Sequence, residues 1–207
     1  MFSFFCRFRA AACWCFIGVL LLPCLHATTV RAPDFNELVH GADRIVRGSV
    51  TRMRSYRVQA EGRAIIRTEV TVQVHETLAG PSAGDELTLR LLGGQADGKF
   101  MRVEGMPAFE VGREFILFVA ENGRRICPLV GWRHGQYRIE LDASSGQRVV
   151  FRADGSALEG TSEVLNALGV RSSREQRSLI EDKPKPMTLT AFVAAIRAER
   201  GGEHHAE

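Results

Sequence analysis

Residues Leu87 to Val119 read LTLRLLGGQADGKFMRVEGMPAFEVGREFILFV, and the reading of this stretch decides the fold. Leu87, Leu89 and Leu91 alternate with Glu86, Thr88 and Arg90, the period-2 pattern of a strand with one wet face. Phe115 to Val119 is apolar at every position, which predicts a strand buried on both faces and close to the centre of the core. Between them Gly93, Gly94, Gly98, Gly105, Pro107 and Gly112 punctuate an excursion too long for a hairpin turn. Loops of that length in a compact domain are usually functional, so a binding surface is expected there.

Outward from this bracket, further strands appear on both sides. Upstream, Ile66, Thr68, Val70, Val72 and Val74 alternate with charged and polar residues, and Arg44 to Met53 is a β-branched run interrupted by Gly48. A glycine inside a strand predicts a bulge or a bend at a barrel corner. Downstream, Asn122-Gly123 predicts a tight hairpin joining Phe115–Val119 to a strand over Arg125–Val130, because Asn-Gly suits a turn with positive φ at both central positions. Gln136–Leu141, with Tyr137, Ile139 and Leu141 on one face, and Arg148–Arg152 complete about eight strands. Short strands at regular spacing predict a mainly β domain, an OB-like partly open β-barrel with extra strands, over residues 28–170.

Helix is expected only at the margins. Asp34 with Glu37 three residues on is a capping box ahead of Phe35, Leu38 and Val39. Ser162–Leu168 predicts a second short helix. Residues 171–187 are charged and proline-containing, the composition of a solvated linker. A last helix is predicted over 188–200, capped by Thr188, with Leu189, Phe192, Val193 and Ile196 on one stripe that docks on the domain.

The N-terminus carries Arg7 and Arg9, an apolar run from Cys13 to Leu22, and then Pro23 and His26. A membrane span needs about 20 apolar residues, so the expectation is a signal peptide over 1–27, cleaved after Ala27. The destination is the periplasm or the cell exterior, with no stable membrane span after cleavage. Of the five cysteines only Cys127 would remain, so no internal disulfide can form. Losing two arginines and no acid lowers the net charge from +3 to +1, which gives no electrostatic case for nucleic acid.

Ala42 to Val50, the strand running into His75-Glu76-Thr77-Leu78-Ala79-Gly80, the Gly93-Gly94 pair, Gly105 to Phe109 and Val111 to Phe118 together resemble an uncharacterised family of exported bacterial proteins of this size. The first strand is also similar to the opening of netrin-like OB-fold domains of the tissue-inhibitor-of-metalloproteinase type, where an Ala-Asp pair precedes a long coiled strand. That similarity implies a barrel and a metalloprotease-inhibitor-like role. Those inhibitors present an N-terminal cysteine to the protease zinc and are rich in disulfides, whereas here the expected mature terminus is Thr28. The similarity therefore extends to the barrel and departs from the mechanism.

No cluster of residues makes a recognisable catalytic site. Cys127, with His134 further along, is the one candidate thiol for a hydrolase, but it lies in an apolar segment without a neighbouring base. Gly93-Gly94 lacks the lysine, hydroxyl and following helix of a phosphate-cradling loop, so positive φ or close backbone approach accounts for it. The histidines have no metal-ligand spacing, and no cofactor or metal is expected. Trp132, Arg133 and Tyr137 are a possible stacking platform for a glycan or a peptide. The expected function is a non-enzymatic binding module whose ligand-binding residues are Gly93, Gly94, Trp132, Arg133 and Tyr137. Its partner is a protein, an exported protease among the candidates, or a glycan.

Overall fold

A computed structural model describes residues 32–60, 62–161 and 185–202. The expected signal peptide, the helix at Ser162–Leu168 and the linker up to residue 184 lie outside these residues. The chain divides into two units, Met1–Val30 and Arg31–Glu207, and the second contains all that follows.

Helix α1 (Phe35–Gly41) starts at the expected capping box. The Asp34 carboxylate accepts from the Glu37 amide at 2.7 Å, and the Glu37 carboxylate accepts from the Asp34 amide at 2.9 Å. These bonds satisfy two donors that a helix start otherwise leaves open. The chain then enters a long antiparallel hairpin, β1 (Arg44–Ala60) and β2 (Arg63–Ala79), of 17 residues each. Both strands outrun the expected segments. Register shifts at Arg47/Gly48 and at Val50/Arg52 supply the expected bulge.

After β3 (Glu86–Leu92) comes a separate small hairpin, β4 (Gly94–Ala96) with β5 (Lys99–Met101), inside the stretch expected to be loop. Asp97 and Gly98 both have positive φ, 50° and 70°, so Asp-Gly forms the tight turn its chemistry favours. β6 (Glu114–Val119), β7 (Gln136–Leu141) and β8 (Arg148–Arg152) follow. The main sheet has the order β3-β2-β1-β6-β7-β8, with every pairing antiparallel. The sub-order β6-β1-β2-β3 is a Greek key, the connectivity expected of an OB-type domain.

The sheet is nevertheless open, with β3 and β8 as its edges. An irregular segment covers the β3 edge. The Arg90 amide donates to Asn122 Oδ1 at 3.2 Å, Asn122 Nδ2 donates to the Thr88 carbonyl at 2.7 Å, and the Leu92 amide donates to the Ile126 carbonyl at 2.8 Å. Asn122 thus imitates a strand partner for an edge that would otherwise pair with another chain. This corrects the expected Asn122-Gly123 hairpin. Positive φ falls on Glu121 and Gly123 rather than on Asn122, and the returning chain makes the single bridge Val119–Leu129 in place of a strand over 125–130.

β6 is buried on both faces, as its unbroken apolar run requires. Ile116 and Phe118 join Ile45, Tyr137, Ile139 and Val150 on the face covered by α1 and by α2 (Leu189–Gly201). Thr188 caps α2 through the Ala191 amide at 3.2 Å, and Phe192, Val193 and Ile196 are buried. The Phe192 ring centre lies 4.9 Å from that of Tyr137, and Phe118 meets Tyr137 edge-on at 5.7 Å. Full burial of each such aromatic contributes about 1.5–3 kcal/mol. Leu141, expected on the same face, lies beyond the helices and is exposed.

Arg47 borders this helix-covered region, contacting Glu76 at 3.2 Å and Glu114 at 3.0 Å. Arg197 of α2 reaches Glu76, and Arg148 of β8 reaches Glu114, so one ion-pair network joins helix and strands. On the other face Phe115, Leu117 and Val119 pack with Val46, Val70, Val72 and the leucines of β3.

Candidate functional site

The second core is walled by the strap that follows β5, residues 102 to 113. Contacts along its length hold it down, beginning where the Gly112 amide donates to the Val50 carbonyl at 2.8 Å and the Val50 amide to the Arg113 carbonyl at 2.9 Å. Gln136, a polar side chain only 3% exposed, donates from Nε2 to the Ala108 carbonyl at 2.7 Å, and the Arg133 amide donates to the Gly105 carbonyl at 3.3 Å. Phe109 meets Phe115 edge-on at 5.6 Å. Burying the Gln136 amide without that carbonyl would cost about 1–3 kcal/mol, so the bond fixes where the strap lies.

The strap, the β4–β5 hairpin and the inner face of β2–β3 enclose an open groove of about 470 Å³. Met53, Val70 and Leu91 lie on one side, Phe100 and Met101 on the hairpin, and Met106 and Phe109 on the strap. Arg102, Glu104 and Arg133 supply its charges. Phe100 is 70% exposed and Met53 is 40% exposed, and the two line the same groove, so their exposed apolar surface is gathered in one place.

The hairpin seats against the sheet through the glycine pair. The Ser55 and Thr68 hydroxyls are 2.8 Å apart, and Thr68 donates to the Gly93 carbonyl at 2.7 Å. Gly94, at φ 124°, lies so close that a Cβ there would stand 2.2 Å from Thr68 Oγ1. Both explanations expected for the pair, positive φ and close approach, hold at this position. Arg57 on the same side of β1 approaches Asp97 of the β4–β5 turn at 3.9 Å.

Of the expected ligand-binding residues, Gly93, Gly94 and Arg133 line this one groove. Trp132 is half-buried, begins a short 3-10 helix (Trp132–Gly135), and packs against the second core. Tyr137 is 3% exposed and belongs to the helix-covered core on the opposite face. An exposed Trp-Arg-Tyr platform is therefore not formed, because β7 turns Tyr137 toward Phe192 while the 3-10 helix lays Trp132 under the strap. The groove residues that sequence reasoning missed are Met53, Phe100, Met101 and Met106. The signal for Phe100 and Met101 was the Asp97-Gly98 turn, which folds them back as the second strand of a hairpin, with Phe100 opposite Gln95.

Cys127 is buried, and burial pushes its thiol up to about 11, so it is protonated at neutral pH. Among the described residues no hydrogen bond links it to His134. That histidine lines a cleft of about 60 Å³ with Arg133, Tyr137, Arg152 and Asp154. Burial, followed by the positive charge of Arg133, holds its imidazole below the ordinary value. His75 contacts Ser49 at 2.8 Å, and no group of three metal-ligating side chains occurs among the described residues. No described helix is long and apolar enough to cross a membrane. No protein-family model matches the chain, and no curated protein matches it in sequence.

Proposed function

We propose that this is an exported binding module that holds an apolar, extended segment of a protein partner in the groove beneath the strap. The carrying observation is the exposed Phe100, presented by a hairpin over a groove that also displays Met53, Met101 and Met106. Methionine is flexible and polarisable, so a methionine-lined groove adapts to varied apolar side chains. Glycan recognition draws on exposed aromatic faces, and burial of Tyr137 removes one of the two rings expected for it. The buried, protonated thiol of Cys127 favours binding over thiol hydrolysis. The basic residues ahead of the apolar run at 13–22 support export, with a mature terminus at Thr28 that N-terminal sequencing of the exported form would read.

Selection from a random peptide library tests the reading. Enriched peptides are expected to carry alternating apolar residues, and Phe100→Ser should weaken their binding at least tenfold, the scale of an aromatic hot spot. Circular dichroism should stay unchanged, because Phe100 packs in neither core. Peptides that bind a folded Phe100→Ser/Met53→Ser variant as well as the parent would remove the groove as the site.

A further inference from the structure

The outer face of the β1–β2 hairpin has a chemistry of its own, separate from the groove. Beyond the second bulge Arg52 pairs across the strands with Thr71, Arg54 with Glu69, Tyr56 with Arg67, and Val58 with Ile65. Directly opposed residues of an antiparallel pair share a face. The alternate positions Met53, Ser55 and Arg57 point the other way, toward the groove and the β4–β5 hairpin. Arg63, opposite Ala60, and Arg90, opposite Glu69 on β3, extend the outer face.

Among the described residues beyond that bulge, the face gathers five arginines against one carboxylate, Glu69, in a chain whose net charge is only +3. Glu69 is already engaged, accepting from the Tyr56 hydroxyl at 3.1 Å and approaching Arg90 at 3.5 Å. Arg52, Arg54, Arg63 and Arg67 make no ion pair among the described residues, and the first three are exposed. Toward the hairpin tip the half-buried Val58 and Ile65 add an aliphatic pair beside Tyr56, over whose ring Arg54 sits at 5.9 Å. The opposite side of the hairpin is braced by the Ser55–Thr68–Gly93 bonds, which keep these side chains in one surface.

We infer that this face docks on an anionic lipid bilayer. Guanidinium groups bind phosphate oxygens bidentately, and their spacing along a strand, about 7 Å between same-face residues, spreads them over a planar array of headgroups. A tyrosine with an aliphatic pair among arginines is the composition of a membrane–water interface, where amphipathic rings sit at headgroup level. An acidic polymer would meet the charges and leave Tyr56, Val58 and Ile65 without a role. Docking in this way sets the groove, on the other side of the same hairpin, facing away from the lipid.

Sedimentation of the full chain with vesicles tests this. Vesicles of phosphatidylcholine carrying a minority of phosphatidylglycerol are compared with phosphatidylcholine alone, so that whatever residues 1–31 contribute to both is subtracted. The excess binding to the anionic vesicles should vanish in high salt. Each arginine near such a surface is worth about fivefold in partitioning, so Arg52→Gln/Arg54→Gln should lower that excess roughly 25-fold. Arg124→Gln/Arg125→Gln, an equal charge change at the β3 edge, should leave it within about twofold. Equal loss from the two pairs, no excess at all, or retention on heparin without vesicle binding would overturn the inference. Tyr56→Ser, which keeps every arginine, should also weaken binding, and an unchanged result there would favour an acidic polymer over the bilayer.

Discussion

Replacing Gly94 by alanine probes how the β4–β5 hairpin is held over the groove, and its cost divides into two parts. The backbone at φ 124° is one that side-chain-bearing residues adopt only at a cost of about 1–3 kcal/mol. The added methyl would also stand 2.2 Å from Thr68 Oγ1 and 2.7 Å from Ser55 Oγ. Thr68 is β-branched and stiff, so clearing the methyl means turning it away and breaking its 2.7 Å bond to the Gly93 carbonyl, for a further 1–3 kcal/mol or so. Gly94→Ala is therefore expected to destabilise the domain by roughly 2–6 kcal/mol. At this chain length that lowers Tm by about 2–4 °C per kcal/mol.

The two parts separate in a double-mutant cycle with Thr68→Ala. In that background the Thr68 hydroxyl and its bond are already gone, so Gly94→Ala should cost only the backbone part and the adjustment of Ser55, leaving a coupling to Thr68 of about 1–3 kcal/mol. Urea unfolding of the four proteins measures it. A Gly94→Ala protein within about 0.5 kcal/mol of the parent, or zero coupling to Thr68→Ala, would refute the reasoning.

Asn122→Ala should withdraw both side-chain bonds from the β3 edge, costing about 1–3 kcal/mol at 0.5–1.5 per bond, and speed amide exchange at Arg90; unchanged exchange at Arg90 would mean the cap is ornamental. The folded Cys127 thiol titrates at about 11 against an ordinary 9.0, so the fold favours its protonated form. Its contribution is intact below pH 9 and is lost as pH rises toward 11. Burial raises the Tyr137 hydroxyl too and acts in the same direction at higher pH, so the thiol's share is read as the flattening of the stability–pH curve in Cys127→Ala. The same burial predicts that a thiol reagent at pH 8 labels Cys127 only after unfolding.

Local chemistry that needs few distant partners was readable from sequence. The Asp34–Glu37 box and the Thr188 cap form because both partners lie within one helical turn. The unbroken apolar run of β6 and the alternation of β2 report burial on two faces and on one. What failed depended on which tertiary neighbour a residue acquires. Asn122-Gly123 and Asp97-Gly98 offer the same turn chemistry, but Asn122 is drawn to the open edge of β3 while Asp97-Gly98 is free to form its hairpin. The far end of β1, residues 54–60, was invisible because none of its residues is buried. At the site, Gly93, Gly94 and Arg133 line one groove. Tyr137 does not, since a tyrosine in a strand reads alike whether its ring meets water or, as here, Phe192.

Methionine-methyl NMR tests the groove most directly, because three of the chain's five methionines line it. Met187 packs against the helix-covered core on the opposite face and serves as an internal control. On titration with a selected apolar peptide, the methyl signals of Met53, Met101 and Met106 should shift together along one binding curve while Met187 stays in place. A peptide that binds and moves Met187, or leaves the three groove methyls where they were, would contradict the account.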